Sequence, residues 1–464
     1  MRHRRLSRNL GFAVALSATW LLSMPAAALA QANSGIAGVV RDSSGAVLPG
    51  VTVEAASPAL IEKVRTVVSD EKGEYKILDL RPGTYTVTFS LPGFSTAKRE
   101  GIELTANFTG NVNAELRVGA LEETVTVSGA TPTVDVQNVI QQRTINKDII
   151  SAIPSGRTEQ TVASVIPGMQ IQAVSNPVTQ DVGGSTGDMR QTLGMHGSKQ
   201  ADFNEMIEGV PMNAMTAYYT GGMNMDSGAV QEFTYEYGAV SAERSAGGVL
   251  VNIIPKDGGN RYTGSLFVSG TNQNFQSNNI TPDLQARGVR GLNKLDKIWD
   301  VNSGVGGPIK QDKLWFYLSA RYWGYDNLVA NTFTNATQGT PVYTPSDTQA
   351  IDDSWLGSAS LRPTWQISPK NKASGFIIQQ GRCLCHQNVG PAVTSTGSGL
   401  PTGVTAPEAA RRARSPVNNL EQITWTSTLS SRLLLEVSAQ RYDFQQSYEY
   451  EPEVTGTDLA IVNL

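Results

Sequence analysis

The sequence predicts a mainly β chain in three consecutive parts. These are an N-terminal seven-stranded β-sandwich, an α+β segment with long polar loops, and the first strands of a transmembrane β-barrel. Three observations carry the prediction. Residues 34 to 118 alternate short apolar-periodic runs with turn signals such as Pro49-Gly50, Arg81-Pro82-Gly83 and Leu91-Pro92-Gly93. After Tyr262 the strands lengthen, and in the last of them Leu433, Leu435, Val437 and Ala439 alternate with Leu434, Glu436, Ser438 and Gln440. Apart from Leu434, that is the apolar-out, polar-in dyad of a membrane barrel. Beyond Trp20, every tryptophan (Trp299, Trp315, Trp323, Trp355, Trp365, Trp425) lies in this last part and none between Gln31 and Ile298, as expected where aromatics gather in interfacial girdles.

Composition agrees. The 464 residues carry 45 glycines and only 17% charged side chains, which suits strands and polar loops better than helical bundles. The net charge of −4 gives no support to a nucleic-acid partner. Residues 1–30 read as a signal peptide: Arg2, Arg4, Arg5 and Arg8, then an apolar run from Leu10 to Leu22, then the small-x-small site Ala28-Leu29-Ala30. No later apolar run approaches the ~20 residues of a spanning helix.

In the sandwich, strands are expected at Gly35–Arg41, Val51–Ala56, Arg65–Ser69, Gly73–Leu78, Thr84–Leu91, Lys98–Leu104 and Gly110–Arg117. Thr84 to Ser90 alternates strictly, with Tyr85, Val87 and Phe89 on one face. The motifs Gly38 to Asp42, Leu48 to Val51, Gly73 to Tyr75, Leu80 to Tyr85 and Pro92 to Phe94 resemble the carboxypeptidase regulatory-like domain. That resemblance implies a fold and not a peptidase. A zinc site needs spaced histidine and carboxylate ligands, and the chain has only three histidines, none with Glu three or four residues on. No cofactor is expected.

The run Val230 to Gly264 joins an acidic strand (Glu232, Phe233, Tyr235, Tyr237) to a second apolar strand across Gly247-Gly248, and a Lys-Asp-Gly-Gly turn closes it. Gly247-Gly248 permits positive φ or close backbone approach. With Asn252, Ile253 and Lys256, this resembles the end of the plug domain of TonB-dependent outer-membrane receptors. Further plug-like elements are Gln141 to Ile153, with Ile145, Ile149 and Ile150 as apolar positions, and a short helix over Thr158 to Ile166 stopped by Pro167-Gly168. Glu208 to Pro211 stands where the family has Asp-Gly-Val-Pro, and His196-Gly197 where Arg-Gly is usual. The attached N-terminal domain points to the Oar-like branch. Domain bounds follow: 31–119 sandwich, 120–129 linker, 130–258 plug, 259–464 partial barrel.

The resemblance implies a function: energy-coupled uptake across the outer membrane, with the N-terminal domain in the periplasm. It implies as partners a TonB-type energy-transducing protein, outer-membrane lipid and a small-molecule substrate, an iron chelate or oligosaccharide. Glu123, Thr124, Val125, Thr126, Val127 and Ser128 resemble a TonB box, the extended segment to which the energy partner adds as a strand. The same alternation also fits a last sandwich strand. Tyr218, Tyr219, Met223 and Met225 lie in an aromatic and Met-bearing loop that either touches substrate or packs on the wall. Cys383-Leu384-Cys385-His386 supplies at most three metal ligands. It is expected in an outer loop with incidental cysteines, or as a strained or intermolecular disulfide. An Oar-type adhesion or structural protein and a periplasmic carbohydrate-binding protein are the rival readings. No nucleophile–base pair suggests an enzyme.

Seven long strands are expected after Gly258: Tyr262–Asn272, Trp299–Pro308, Lys313–Tyr325, Trp355–Ile367, Lys372–Gln380, Leu420–Leu429 and Arg432–Gln445. Plugged barrels have ~22 strands, so the chain is expected to be part of a longer receptor.

Overall fold

A computed structural model describes residues 34–58, 60, 63–105, 108–119, 124–128, 140–153, 155–173, 191–199, 202–212, 223–239, 247–338, 340, 342–387, 389, 407–430 and 433–451. The N-terminal sandwich comprises β1 (Gly35–Asp42), β2 (Thr52–Ala56), β3 (Val64–Val68), β4 (Glu74–Ile77), β5 (Gly83–Ser90), β6 (Thr96–Leu104), β7 (Thr109–Asn111), β8 (Ala114–Leu116) and β9 (Thr124–Ser128). One sheet runs β4-β1-β7 with β8 also on β1, and the other runs β3-β2-β5-β6-β9. Tyr85, Val87 and Phe89 all point into the core between the sheets with Ile36, Val53 and Ile77. Each buried aliphatic or aromatic side chain there contributes roughly 1.5–3 kcal/mol.

The expected seventh strand is two short ones. The chain breaks at Val112, whose carbonyl accepts the Tyr75 hydroxyl at 2.5 Å. Gly38 makes this crossing fit: a Cβ there would lie 2.1 Å from the Val112 oxygen.

The middle unit comprises β10 (Gln141–Asn146), helices α1 (Lys147–Ala152) and α2 (Glu159–Ala163), β11 (Gln170–Ala173), β12 (Gln191–Gly194), β13 (Asn204–Ile207), β14 (Val210–Pro211), β15 (Val230–Gly238) and β16 (Leu250–Pro255). Asn146 caps α1 and Thr158 caps α2 through their side chains. The main sheet is ordered β10-β15-β16-β13-β14, with β13 parallel to β16. Ile145 and Ile150 enter the core, whereas Ile149 is exposed. The expected apolar set was thus one residue too wide, because a short helix buries a single stripe. Of the two glycines, Gly248 is required by close approach: a Cβ would meet the Asp202 carbonyl oxygen at 2.5 Å.

The last part is one curved antiparallel sheet in chain order: β17 (Thr263–Asn272), β18 (Lys294–Lys310), β19 (Leu314–Asn335), β20 (Pro345–Ser368), β21 (Asn371–Gln387), β22 (Arg411–Ser430) and β23 (Leu433–Asp443). The short β24 (Ser447–Glu449) returns onto β22. All seven expected strands are present, and most are longer than expected. Tight turns at one end (after Lys310, and Pro369-Lys370) alternate with long connections at the other. Among the described residues β17 and β23 are not paired with each other, so these strands form an open sheet. Val305, Leu318, Leu361 and Ile377 are register partners on four successive strands, and all four are exposed on the outer face. Trp299, Tyr322 and Trp355 form a second outward row, with centroids 6.1 and 6.3 Å apart. Trp365 and Trp425 also face outward, but Trp315 and Trp323 are buried on the inner side, so only part of the tryptophan set lies on the outer face.

Cys383 and Cys385 lie in β21, not in a loop, and are bonded to each other with Cα atoms 5.1 Å apart. Residues two apart on a strand share one face. Both are buried.

Candidate functional site

The middle unit sits against the inner face of the curved sheet. Its hydrophobic core, including Ile145, Phe233, Tyr235 and Ile253, continues into the wall residues Phe376, Ile378 and Leu420. Buried polar groups on this face need partners, and three polar nodes pair several of them across the contact.

At the first node the Asp226 carboxylate caps Gly228 N–H at 2.8 Å, accepts Asn302 Nδ2 from β18 at 2.5 Å, and accepts the Ser319 hydroxyl of β19. At the second, Arg321 on β19 makes a two-pronged bond to Asp300 at 3.0 and 2.8 Å and donates to the Gly156 carbonyl at 3.1 Å. The neighbouring Arg157 guanidinium stacks on Phe267 at 3.6 Å.

The third node joins three parts of the chain. Glu208 and Gly209 form the tip of the β13–β14 hairpin with φ of 48° and 75°, the two positive φ values of a type I′ turn. Asn252 fixes this turn by accepting Gly209 N–H at 2.8 Å. The Glu208 carboxylate receives both terminal nitrogens of Arg362, one at 3.0 Å. Arg362 Nε donates to Asp257 Oδ1 at 2.7 Å, Thr364 Oγ1 donates to the same oxygen at 2.7 Å, and Arg81 of the sandwich stands 3.1 Å from Asp257 Oδ2. Burial pushes the Asp257 carboxyl up, but the Arg362 and Arg81 guanidinium groups and the hydrogen bonds outweigh it and hold it well below the usual carboxylate range.

The expected TonB-box residues Thr124–Ser128 form β9, an edge strand parallel to β6, with Thr96 opposite Thr124 and Glu100 opposite Ser128. Thr124–Ser128 is therefore a strand of the sandwich sheet. Among the described residues no strand pairs with its outer edge. Glu123 lies outside the described residues, as do Tyr218 and Tyr219. Met223 and Met225 are packed in the core shared with the wall. His196 lies in an exposed turn at φ 54°. His386 Nδ1 contacts Asp353 at 2.5 Å, a pairing within the wall. Among the described residues no cluster of three or more His, Cys, Asp or Glu could hold a metal.

Sequence reasoning found the hairpin tip and the Lys-Asp-Gly-Gly turn but not their ion pairs. Glu208 and Asp257 are 154 and 105 residues from Arg362, so no local pattern joins them.

The carboxypeptidase regulatory-like domain model matches residues 35–117. A TonB-dependent transporter, Oar, of Myxococcus xanthus is 29% identical over 326 residues, covering 68% of this chain and 29% of that protein. This chain is similar to an Oar-type TonB-dependent transporter. It spans less than a third of that relative's length. Among solved structures, the ferric enterobactin receptor PfeA superposes with a TM-score of 0.43 at 12% identity, over 66% of this chain and 41% of the other. The siderophore receptor PirA of Pseudomonas aeruginosa gives 0.40 at 13%, over 67% and 41%.

Proposed function

We propose that this chain is part of an energy-coupled uptake receptor of the outer membrane. One observation supports this most: an α+β unit is seated on the polar inner face of strands whose outer face is apolar. Lipid explains the outer face, and a plug explains the inner one. In this reading the middle unit is the plug. It blocks the lumen through its shared core and three polar nodes. Residues 1–30 direct export. The role is transport rather than catalysis.

Glu123 to Ser128 is the segment on which a TonB-type partner pulls, by strand addition. Cargo, a small molecule or oligosaccharide, binds from outside, and Tyr218 and Tyr219 are the candidate stacking residues. Energy arrives from the partner, so the chain needs no nucleotide site. The test is growth of a deletion strain on a panel of iron chelates and glycans, with and without the energy-transducing partner. The expected result is one cargo class whose use needs both proteins. Use of every cargo regardless of either protein would remove the proposal.

A further inference from the structure

The proposed function uses one edge strand of the N-terminal sandwich as the coupling segment and leaves one of its loops, which contacts the plug link, unused. The loop 78–82, between β4 and β5, reaches the short-turn end of the curved sheet. Asp79 accepts Lys372 Nζ, at the start of β21, at 3.0 and 3.1 Å. Arg81 stands at the carboxylate of Asp257, in the link between the last plug strand and β17. The loop is braced from behind. Arg65 Nη1 donates to the carbonyls of Leu78 and Asp79 at 2.8 and 3.1 Å, and the Tyr85 hydroxyl donates to the Arg81 carbonyl at 2.7 Å. Movement of the sandwich as a body is therefore carried to the Arg81 guanidinium.

Asp257 shares two cations, Arg81 and Arg362, while Arg362 serves two anions, Asp257 and Glu208. When Arg81 withdraws, Arg362 is left, among the described residues, as the one cation paired with Asp257, and its hold on Glu208 weakens. The hairpin tip of the plug is what Glu208 anchors. A pull on β9 has two routes to the plug. One follows the backbone through residues 129–139 to β10. The other passes through the β6–β9 ladder, registered over five residues, into the sandwich and out through Arg81.

We infer that the sandwich is the lever: force on β9 reaches the plug through the loop 78–82 and the Arg81–Asp257 pair, which frees Glu208 from Arg362. This rests on the reading of Glu123 to Ser128 as the coupling segment. The two routes are separated in the full-length receptor in its own membrane. A ten-residue Gly-Ser insert within 129–139 adds slack of about 16–19 Å to the backbone route and leaves the lever intact. Arg81→Ala leaves the backbone route intact and puts the Arg362–Glu208 contact in the state that a pull would produce. Import of labelled cargo, surface binding and membrane abundance are measured on each.

The lever expects the insert to import within about twofold of the parent. Arg81→Ala should loosen the plug without a pull, read as about tenfold or more entry of a labelled small solute into cells that lack the energy-transducing partner, and Arg81→Lys should return that entry close to the parental level. Loss of import in the insert, or parental solute entry by Arg81→Ala, overturns the lever. If Arg81→Ala does not reach the membrane, the insert alone decides. Deleting Glu123 to Ser128 tests the underlying reading separately. If the deletion imports normally, the coupling segment lies elsewhere. If the deletion and the insert both stop import, the segment stands and only the lever fails.

Discussion

Arg362 Nε, on the inner wall of the sheet, lies 2.7 Å from Asp257 Oδ1 in the link that leaves the plug. The same guanidinium reaches Glu208 at the tip of a plug hairpin. One side chain of the wall thus holds the plug at two points, with its own surface almost wholly buried.

Truncating it leaves two carboxylates short of their counter-charge. Removing one partner of a buried ion pair costs about 3–5 kcal/mol, so Arg362→Ala should lower the urea midpoint of the receptor in detergent and open the plug to protease. Lys297→Ala removes the exposed pair with Asp326 and should cost about 0–1 kcal/mol. Equal midpoints for the two variants would deny the third node its role. Because Asp257 titrates below the usual range, its contribution is complete above the unfolded value near 3.8 and lost only as pH falls through the lower folded value. The plug contact should therefore hold unchanged from pH 5 to pH 8.

Glu159, at the start of α2, behaves oppositely. Burial raises its carboxyl above the ordinary value of 4.5. The folded state then binds this proton more tightly than the unfolded one. Its contribution is intact below 4.5 and is lost as pH rises through the raised folded value. Glu159→Gln should therefore flatten the fall in plug stability between pH 4.5 and pH 8, read as unfolding midpoints across that range. An unchanged pH slope would show that Glu159 does not titrate there.

The sandwich should fold by itself as a soluble β-domain, and β9 should belong to it. A chain ending at residue 129 should unfold at a higher denaturant midpoint than one ending at 119, since each ladder bond contributes about 0.5–1.5 kcal/mol. Identical midpoints would mean that β9 pairs with β6 too weakly to matter.

These expectations draw unevenly on the sequence. The alternation Tyr85-Val87-Phe89 located a core strand because period two leaves no second solution. Leu433 to Ala439 marked a lipid face for the same reason. Strand ends were less legible. In β19 and β20 the ladder runs beyond the alternating segment, on to Asn335 and back to Pro345. Trp315 misled because an indole N–H also seeks a partner inside, here Asn260 at 2.8 Å. The segment Thr124 to Ser128 was readable as a strand but not by host. Its Val–Thr alternation suits the β6 edge and an incoming strand equally. The Arg362 node was invisible, since ion pairs between distant elements leave no periodic trace.

The central claim is that Glu123 to Ser128 couples the receptor to its energy source, and import by two variants of one residue tests it most directly. Proline lacks the N–H and fixes φ, so it disrupts an added strand, whereas alanine keeps the main-chain bonds. Val125→Pro should stop import of labelled cargo while surface binding and membrane abundance stay at parental levels, and Val125→Ala should import nearly normally. Normal import by Val125→Pro would contradict the claim. So would a fall in membrane abundance that accounts for the whole loss, because the strand would then serve only the sandwich.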